Sequence, residues 1–201
     1  GAKSLATSIR KGEIATLRLG LSRTIEMAIL IPFLSELVRA MNGLELKFLR
    51  GTADEVAEFM KQGDADLAIS GPLTTSWDRF DARPLFTEPF VVLVDGTHRH
   101  AGHSSVRLED LNQERMLVRT YCEQAEPLAA LLRSREVKAA TSHEVSAERD
   151  LIALLESRLG IAIAPRSTAI PATLRRVAID GIELTRTVYL YSVAGRPRAA
   201  A

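Results

Sequence analysis

Apolar positions along this chain follow two periods. Leu17-Arg18-Leu19-Gly20-Leu21 alternates apolar and polar residues around a glycine, which predicts a strand. Beyond Ser22-Arg23-Thr24 the spacing changes. Ile25, Ile29, Phe33, Leu37 and Met41 recur every fourth position, and Leu30, Leu34 and Val38 widen the stripe, which predicts a long helix. Asn42-Gly43 can stop it, because glycine takes the left-handed conformation. Pro32 removes one helical hydrogen bond and predicts a kink, but the stripe keeps its phase on both sides. Leu44 to Leu49 is the second strand. Thr52-Ala53-Asp54-Glu55 has the spacing of a capping box and opens a helix with Val56, Phe59 and Met60 on one face, ending at Gly63. Asp66 to Gly71 is the third strand, with an apolar centre suited to cover on both faces. This β-α-β-α-β order predicts a parallel sheet with helical crossovers.

After the apolar strand Phe90–Val94 comes a loop of Gly, His and Ser, and then the rhythm restarts. Met116–Arg119 reads as a strand, Pro127–Arg135 as a helix and Lys138–Val145 as a strand. Ser146 reads as the cap of a helix from Ala147 to Leu159 that stops at Gly160. Ile161–Pro165, Arg176–Ile179 and Thr187–Val193 complete the strands. Two α/β halves joined near residues 95–100 are predicted, without an alignable internal repeat. A ligand is expected between them, at the carboxyl ends of the strands.

Composition narrows the class. The chain has 201 residues, 46% hydrophobic and 25% charged, which is the balance of a globular protein. Lys plus Arg is 26 against 25 for Asp plus Glu, so no basic excess points to nucleic acid or an anionic membrane. A single cysteine, Cys122, excludes an internal disulfide and fits a reducing compartment. No apolar run approaches the roughly 18 residues that span a bilayer. Residues 1–16 read as a polar linker without the apolar core of a leader, which disfavours secretion.

Taken in order, several segments resemble the effector-binding domain of LysR-type transcriptional regulators. Leu17-Arg18-Leu19-Gly20 is similar to that family's first strand, and Leu30-Ile31-Pro32-Phe33-Leu34 to its "L-L-P-x-L" helix, where the proline is tolerated. Gly63-Asp64-Ala65-Asp66-Leu67-Ala68-Ile69 is similar to "G-x-x-D-L-A-I". Glu88 to Val94 followed by His98 is similar to the strand leading to "H-P-L-A", with Arg99 in place of the proline. Leu159-Gly160-Ile161-Ala162-Ile163-Ala164-Pro165 is similar to "G-I-x-x-L-P".

The resemblance implies an α/β fold of the type 2 periplasmic-binding-protein kind: two Rossmann-like subdomains with a ligand cleft between them. Residues 17–95 would form subdomain I, with a C-terminal return over 194–201, and 96–193 subdomain II. It also implies a winged helix-turn-helix upstream. Residues 1–16 are too few to hold one, so the chain is expected to be the sensor part of a cytoplasmic regulator that reaches DNA only through that missing region. Homodimers are expected, with higher oligomers in the full-length protein. They would form through the face of the long helix left over once one stripe is buried, set against the Pro127–Arg135 helix of a second copy. The runner-up is a secreted solute-binding protein of the same fold serving a transporter; an enzyme on this fold is a third reading.

The binding residues follow from the strand ends. Ser22, Arg23 and Thr24 lie between the first strand and the long helix, where unpaired amides attract anions. On the residues alone Ser22 or Thr24 is simply a cap; the resemblance turns them into effector contacts, because family members bind small carboxylates or other polar effectors there. Arg119, Thr120 and Tyr121 end the first strand of the second half, with Arg119 able to pair with a carboxylate and Thr120 and Tyr121 able to donate. Ser70, Gly71, Ser146 and Pro165 occupy corresponding strand ends, and Arg50 and Gly51, which close the neighbouring strand, are expected to border the cleft as well. A small polar or anionic effector of carboxylate type is the expected ligand. Cys122 reads as a structural thiol, since no second cysteine can resolve it and Glu123 raises its pKa. His98, His100 and His103 have an H-x-H-x-x-H spacing, but with Asp95 as the nearby carboxylate they read as a solvated loop and not a zinc site. The chain carries no G-x-S-x-G, P-loop, H-E-x-x-H or dinucleotide fingerprint, so neither catalysis nor a cofactor is expected.

Overall fold

The computed structural model describes residues 16–195. The expected linker ahead of Thr16 and residues 196–201 of the expected C-terminal return lie outside the described residues. In chain order the elements are β1 (Thr16–Ser22), α1 (Met27–Ala40), β2 (Glu45–Gly51), α2 (Ala53–Gln62), β3 (Leu67–Ser70) and β4 (Phe80–Asp95). Then follow β5 (Ser105–Arg107), a 3-10 turn (Leu108–Leu111), β6 (Arg115–Arg119), α3 (Ala125–Ser134), β7 (Thr141–Val145), α4 (Glu148–Glu156), β8 (Ala162–Pro165), β9 (Leu174–Asp180) and β10 (Thr185–Val193). The chain forms two units. Gly1–Leu85 with Val188–Ala201 makes unit 1, and Phe86–Thr187 makes unit 2.

In unit 1, β1 is parallel to both β2 and β3, as the β-α-β-α-β rhythm predicts. Leu17, Leu19 and Leu21 are buried, and every residue of β3 is buried. Gly20 is a close-approach position: a Cβ there would sit 3.4 Å from the Ala65 Cβ and 3.6 Å from Val56. The Thr52–Glu55 capping box forms in both directions, and α2 ends at Gly63 with φ 86°. Its inner face carries Val56, Ala57 and Met60 into a core with Ala65, Ala68 and Tyr191. β10 closes the sheet by pairing antiparallel with β3, so unit 1 is not wholly parallel.

Helix α1 behaves differently. Pro32 lies inside it and the helix runs on to Ala40. Only Leu30 and Leu34 are buried within it, while Ile31, Phe33 and Val38 remain 50%, 49% and 44% exposed. The apolar stripe is therefore wider than the face that unit 1 covers.

Unit 2 is built on β4. Its second half pairs antiparallel with β8 and with β9, and β5 joins β9 in parallel. β6 and β7 pair in parallel, and a bridge between Met116 and Ile161 ties β6 to the segment leading into β8. Alternate β4 residues feed two cores, as a period of two requires. Phe90, Val92 and Val94 join Leu108, Leu111 and Ile163. Val91 and Leu93 join Leu117, Leu151, Leu155 and Leu174. Gly160 is obligatory, because a Cβ there would lie 2.5 Å from the Arg115 carbonyl oxygen.

Mostly parallel sheets were the expectation, and the antiparallel pairings of β4 and β10 depart from it. β4 also begins ten residues ahead of the predicted Phe90, since Arg83, Pro84, Glu88 and Pro89 mask the strand in a polar, proline-bearing stretch. The units divide within β4 and β10, not in the loop at residues 95–100.

A fully buried ionic network lies inside unit 2. The Arg186 side chain is 0% exposed. Its Nε donates to Glu88 Oε1 at 2.9 Å and its Nη1 to Glu123 Oε1 at 2.7 Å. The backbone N–H of Ser167 donates to Glu88 Oε2 at 2.7 Å and its hydroxyl to Oε1 at 2.9 Å. Removing one member leaves a buried charge uncompensated, which costs about 3–5 kcal/mol. Arg186→Met is expected to lose that much stability in urea unfolding at neutral pH. A loss below about 1 kcal/mol, the range of a surface pair, would contradict this account.

Candidate functional site

The carboxyl ends of the three parallel strands gather hydroxyl groups on unit 1. Ser22 pairs with Gly51, and Ser70 follows directly on the Leu21–Ile69 pair. Ser22 and Ser70 therefore stand at the ends of adjacent strands. Ser22, Thr24 and Ser70 are all buried, and the Ser22 and Thr24 hydroxyls lie 3.0 Å apart. The Ser70 Oγ has no hydrogen-bond partner among the described residues. Arg50 clasps the turn from its flank: Nη1 donates to the Ile25 carbonyl at 2.7 Å and to the Ser22 carbonyl at 3.2 Å. Arg23 points outward, 3.4 Å from Glu55, while its backbone N–H donates to the Gly51 carbonyl at 2.9 Å. Gly71 is buried, and its carbonyl accepts from the Tyr191 hydroxyl at 3.3 Å.

Helix α1 begins at Met27, with Glu26 in the capping position and no side-chain cap. The expected cap at Thr24 is thus displaced by two residues, to Glu26. Ile25 is buried in the turn ahead of the helix instead of on its first face, so Thr24 is a turn residue and not the cap.

On unit 2 the strand ends carry a different chemistry. Arg119 is buried, and its Nη2 reaches both Glu148 carboxylate oxygens, at 2.8 and 2.9 Å. Tyr121 is buried beside it, accepts from Arg119 Nε at 3.3 Å and donates to Glu148. Burial works against the Arg119 charge, yet Glu148 overrides it and holds the guanidinium pKa above its ordinary value. Burial also pushes the Tyr121 hydroxyl up. Arg119 is therefore already paired, through a partner 29 residues away that sequence reading did not find. Thr120 is exposed at this end, and its hydroxyl donates to the Val145 carbonyl at 3.2 Å. Ser146 is exposed, and Ala147, not Ser146, caps α4, which begins at Glu148. Pro165 ends β8, and its carbonyl accepts from the N–H of Thr168 at 3.0 Å. Thr168 was also missed: it is buried, and its Oγ1 has no partner among the described residues.

The LysR substrate binding domain family model matches residues 10–201. The chain belongs to the LysR substrate binding domain family. The transcriptional dual regulator GltC of Bacillus subtilis (strain 168) is 25% identical over 195 residues, which are 92% of this chain and 63% of that protein. The chain thus spans less than two thirds of that relative's length. Among solved structures, the regulatory domain of CcmR from Synechocystis PCC6803 in complex with 2-PG matches with a TM-score of 0.78 at 20% identity, covering 90% of this chain and 89% of that one. The effector-binding domain of QuiR in complex with shikimate matches with a TM-score of 0.78 at 17% identity, covering 90% and 88%. The fold is accordingly the type 2 periplasmic-binding-protein kind that the ordered motifs implied. The family is a regulatory one. No helix among the described residues is long and apolar enough to cross a membrane.

Within this LysR-type domain, the histidine loop is solvated only in part: His103 is exposed as expected, and the other two histidines are not. His100 is buried and His98 largely so, because Glu114 reaches into the loop. Arg99 Nε donates to Glu114 Oε1 at 2.7 Å, and the Nε2 atoms of His98 and His100 each lie 3.4 Å from its carboxylate. Among the described residues no group of His, Cys, Asp or Glu side chains is placed to hold a metal ion. Cys122 is buried, and burial raises its thiol pKa, with Glu123 adding to the effect.

The His100 pKa lies below its ordinary value, first through burial and then through the charge on Arg99, with Glu114 opposing. The folded state therefore resists protonation, while the unfolded chain takes up a proton near pH 6.5. Stability is expected to be fully present above that pH and to fall as pH drops through it. The check is urea unfolding at a series of pH values for the wild type and His100→Asn. If the variant keeps the same slope between neutral pH and pH 5.5, another group is responsible.

Proposed function

We propose that this chain is the effector-sensing domain of a LysR-type DNA-binding transcriptional regulator of the cytoplasm, and that it catalyses no reaction. Contact with DNA belongs to a helix-turn-helix region of the full-length protein. The effector is a small anionic or strongly polar molecule of carboxylate type. Support comes first from the hydroxyl group without a partner: Ser70 Oγ is buried at the carboxyl end of β3 beside Ser22 and Thr24. A ligand acceptor or donor there satisfies a group that the fold leaves unpaired. Arg50 and Arg23 place cations close by, and the hydroxyls of Thr120 and Ser146, exposed on unit 2, are further candidate contacts. Arg119 and Tyr121, engaged with Glu148, serve as fixed wall more than as ligands. Shikimate, bound by the QuiR domain, is a carboxylate of the expected class.

A thermal-shift screen of organic acids, amino acids and oxyanions tests this reading. At one hundred times its Kd, a true effector stabilises the domain by about 2.7 kcal/mol. Ser70→Ala is expected to weaken that effector by about 1 kcal/mol without destabilising the free domain, since the hydroxyl makes no bond to lose. A confirmed ligand that binds Ser70→Ala and Thr24→Ala as it binds the wild type would place the site elsewhere.

The domain is further proposed to form two-fold homodimers, and higher oligomers in the full-length regulator. The uncovered α1 face with Ile31, Phe33 and Val38 supports this. α3 of a second copy is the proposed mate. Sedimentation at micromolar protein should show a dimer for the wild type and a monomer for Phe33→Glu. A wild-type monomer, or a variant that stays dimeric, rejects the interface.

A further inference from the structure

The loop between β4 and β5 folds tightly on itself. The His98 backbone N–H donates to the Asp95 carbonyl at 3.0 Å, that of Ala101 to the His98 carbonyl at 2.9 Å, and that of His103 to the His100 carbonyl at 3.0 Å. A side chain closes it further. The His100 backbone N–H donates to His98 Nδ1 at 3.2 Å, so a neutral His98 carries its proton on Nε2. Glu114, just ahead of β6, turns its carboxylate to this loop. His98 Nε2 lies 3.4 Å from Oε2, and His100 Nε2 lies 3.4 Å from Oε1. Oε1 is already taken by Arg99 Nε at 2.7 Å.

With neutral imidazoles these contacts agree: one carboxylate meets one fixed cation. His100 is buried, and neither of its ring nitrogens has a hydrogen-bond partner among the described residues. Protonation puts the contacts in conflict at two atoms. A proton on His98 Nδ1 turns a donor toward the His100 N–H, and two donors cannot share a bond, so that contact breaks. A charged His100 makes Nε2 a second strong donor to Glu114 Oε1, in competition with Arg99. Three cations then face one carboxylate, and the neighbouring acids are engaged elsewhere. Asp110 accepts from Arg107 through its side chain, and from Arg99 Nη2 only through its carbonyl. Asp95 accepts from Thr97 and lies 3.6 Å from Arg158. His103, its ring 5.6 Å from that of His100, adds further positive charge once protonated.

We propose that His98, His100 and Glu114 form an acid-operated latch: proton uptake by the two imidazoles breaks the bond from the His100 N–H to His98 Nδ1, releases Arg99 from Glu114, and opens the 98–103 loop while the sheet of β4 stays folded. The latch is a local event, apart from the loss of overall stability with acid, and does not rest on the effector reading. Burial and the Arg99 charge hold the His100 pKa below its ordinary value, so the closed form belongs to neutral pH and the open form to pH below about 6.5. Glu114 carries the event beyond the loop. Its carbonyl accepts from the Ala140 N–H at 2.8 Å just ahead of β7, and its own N–H donates to the Leu111 carbonyl at 3.2 Å.

The test follows the histidine ring nitrogens by NMR and the loop amides by hydrogen exchange, between about pH 7.5 and about pH 5.5. At the neutral end His98 should be the Nε2–H tautomer. Toward the acid end, exchange of the His100, Ala101 and His103 amides, corrected for the intrinsic effect of pH, should speed up by about fivefold or more, the change that one lost hydrogen bond produces. The Arg99 Nε–H signal should lose its Glu114-bound shift, and the Val91–Val94 amides of β4 should stay protected. His98→Asn leaves an acceptor where Nδ1 stood but takes no proton, so its His100 amide should stay slow throughout. His100→Gln offers Glu114 a neutral amide, so its Arg99 signal should stay fixed. The wild-type measurements decide the matter whatever the stability of the variants. The latch is overturned if neutral His98 is the Nδ1–H tautomer, or if the corrected loop exchange is the same at both ends. It is overturned too if the β4 amides lose protection in step with the loop, which is unfolding of the whole unit, or if both variants respond to acid like the wild type.

Discussion

Unit 2 is organised around a guanidinium that water never reaches. Arg186 sits in the first half of β10, Glu88 in β4, and Glu123 in the turn leading into α3. Two carboxylates share this one cation, and Ser167 offsets part of the cost of burial by adding two donors to Glu88. Each bond fixes a different element. Glu88 and Arg186 hold the two strands along which the chain passes from one unit to the other. Ser167 draws in the loop after β8, and Glu123 anchors the foot of α3. Apolar contacts of the β4 core are non-directional and would permit small slips of these elements. The ion cluster removes that freedom, because a shift of about one ångström would leave a charge both buried and unpaired.

The Arg119–Tyr121–Glu148 group repeats the device on a smaller scale. It ties the end of β6 to the first turn of α4, where a carboxylate also suits the helix dipole. The two networks differ in completeness. Arg119 keeps one buried nitrogen without a hydrogen-bond partner among the described residues, which the Arg186 network does not.

Local signals were legible in the sequence, and pairings across the chain were not. The Thr52–Glu55 box, the Gly63 stop, the three parallel strands and the tolerated Pro32 all depend on residues within a turn or two of each other. The strand-end serines were found because strand order alone places them there. By contrast, Arg186 and Glu88 meet across 98 positions, and no spacing rule connects them. The same blindness made Arg119 read as a free cation and His98 and His100 as solvated, since Glu148 and Glu114 come from other elements. β4 was half missed because its exposed part alternates charge and proline instead of apolar residues, and it is held by its neighbours more than by its own propensity. The starts of α1 and α4 were each placed early, because a hydroxyl residue ahead of an apolar run reads as a cap whether or not the backbone turns there.

Scaffold and reading surface can then be told apart by one criterion, the state of the buried polar atoms. A network whose donors and acceptors are all used, such as Arg186 with Glu88, gains nothing from a ligand and resists change. A buried group left over does gain, because a ligand that satisfies it removes a standing cost of the fold. Among the described residues such groups are Ser70 Oγ, Thr168 Oγ1, Arg119 Nη1 and the ring nitrogens of His100. The first two stand at or just beyond strand ends, where the proposed effector site lies. Arg119 Nη1 is enclosed beside the Glu148 pair. His100 lies in neither place, and its burial beside Arg99 and Glu114 makes it a group that protons, not ligands, would disturb. The leftover atoms thus sort by what can reach them, and the rest of the polar interior is there to hold them still.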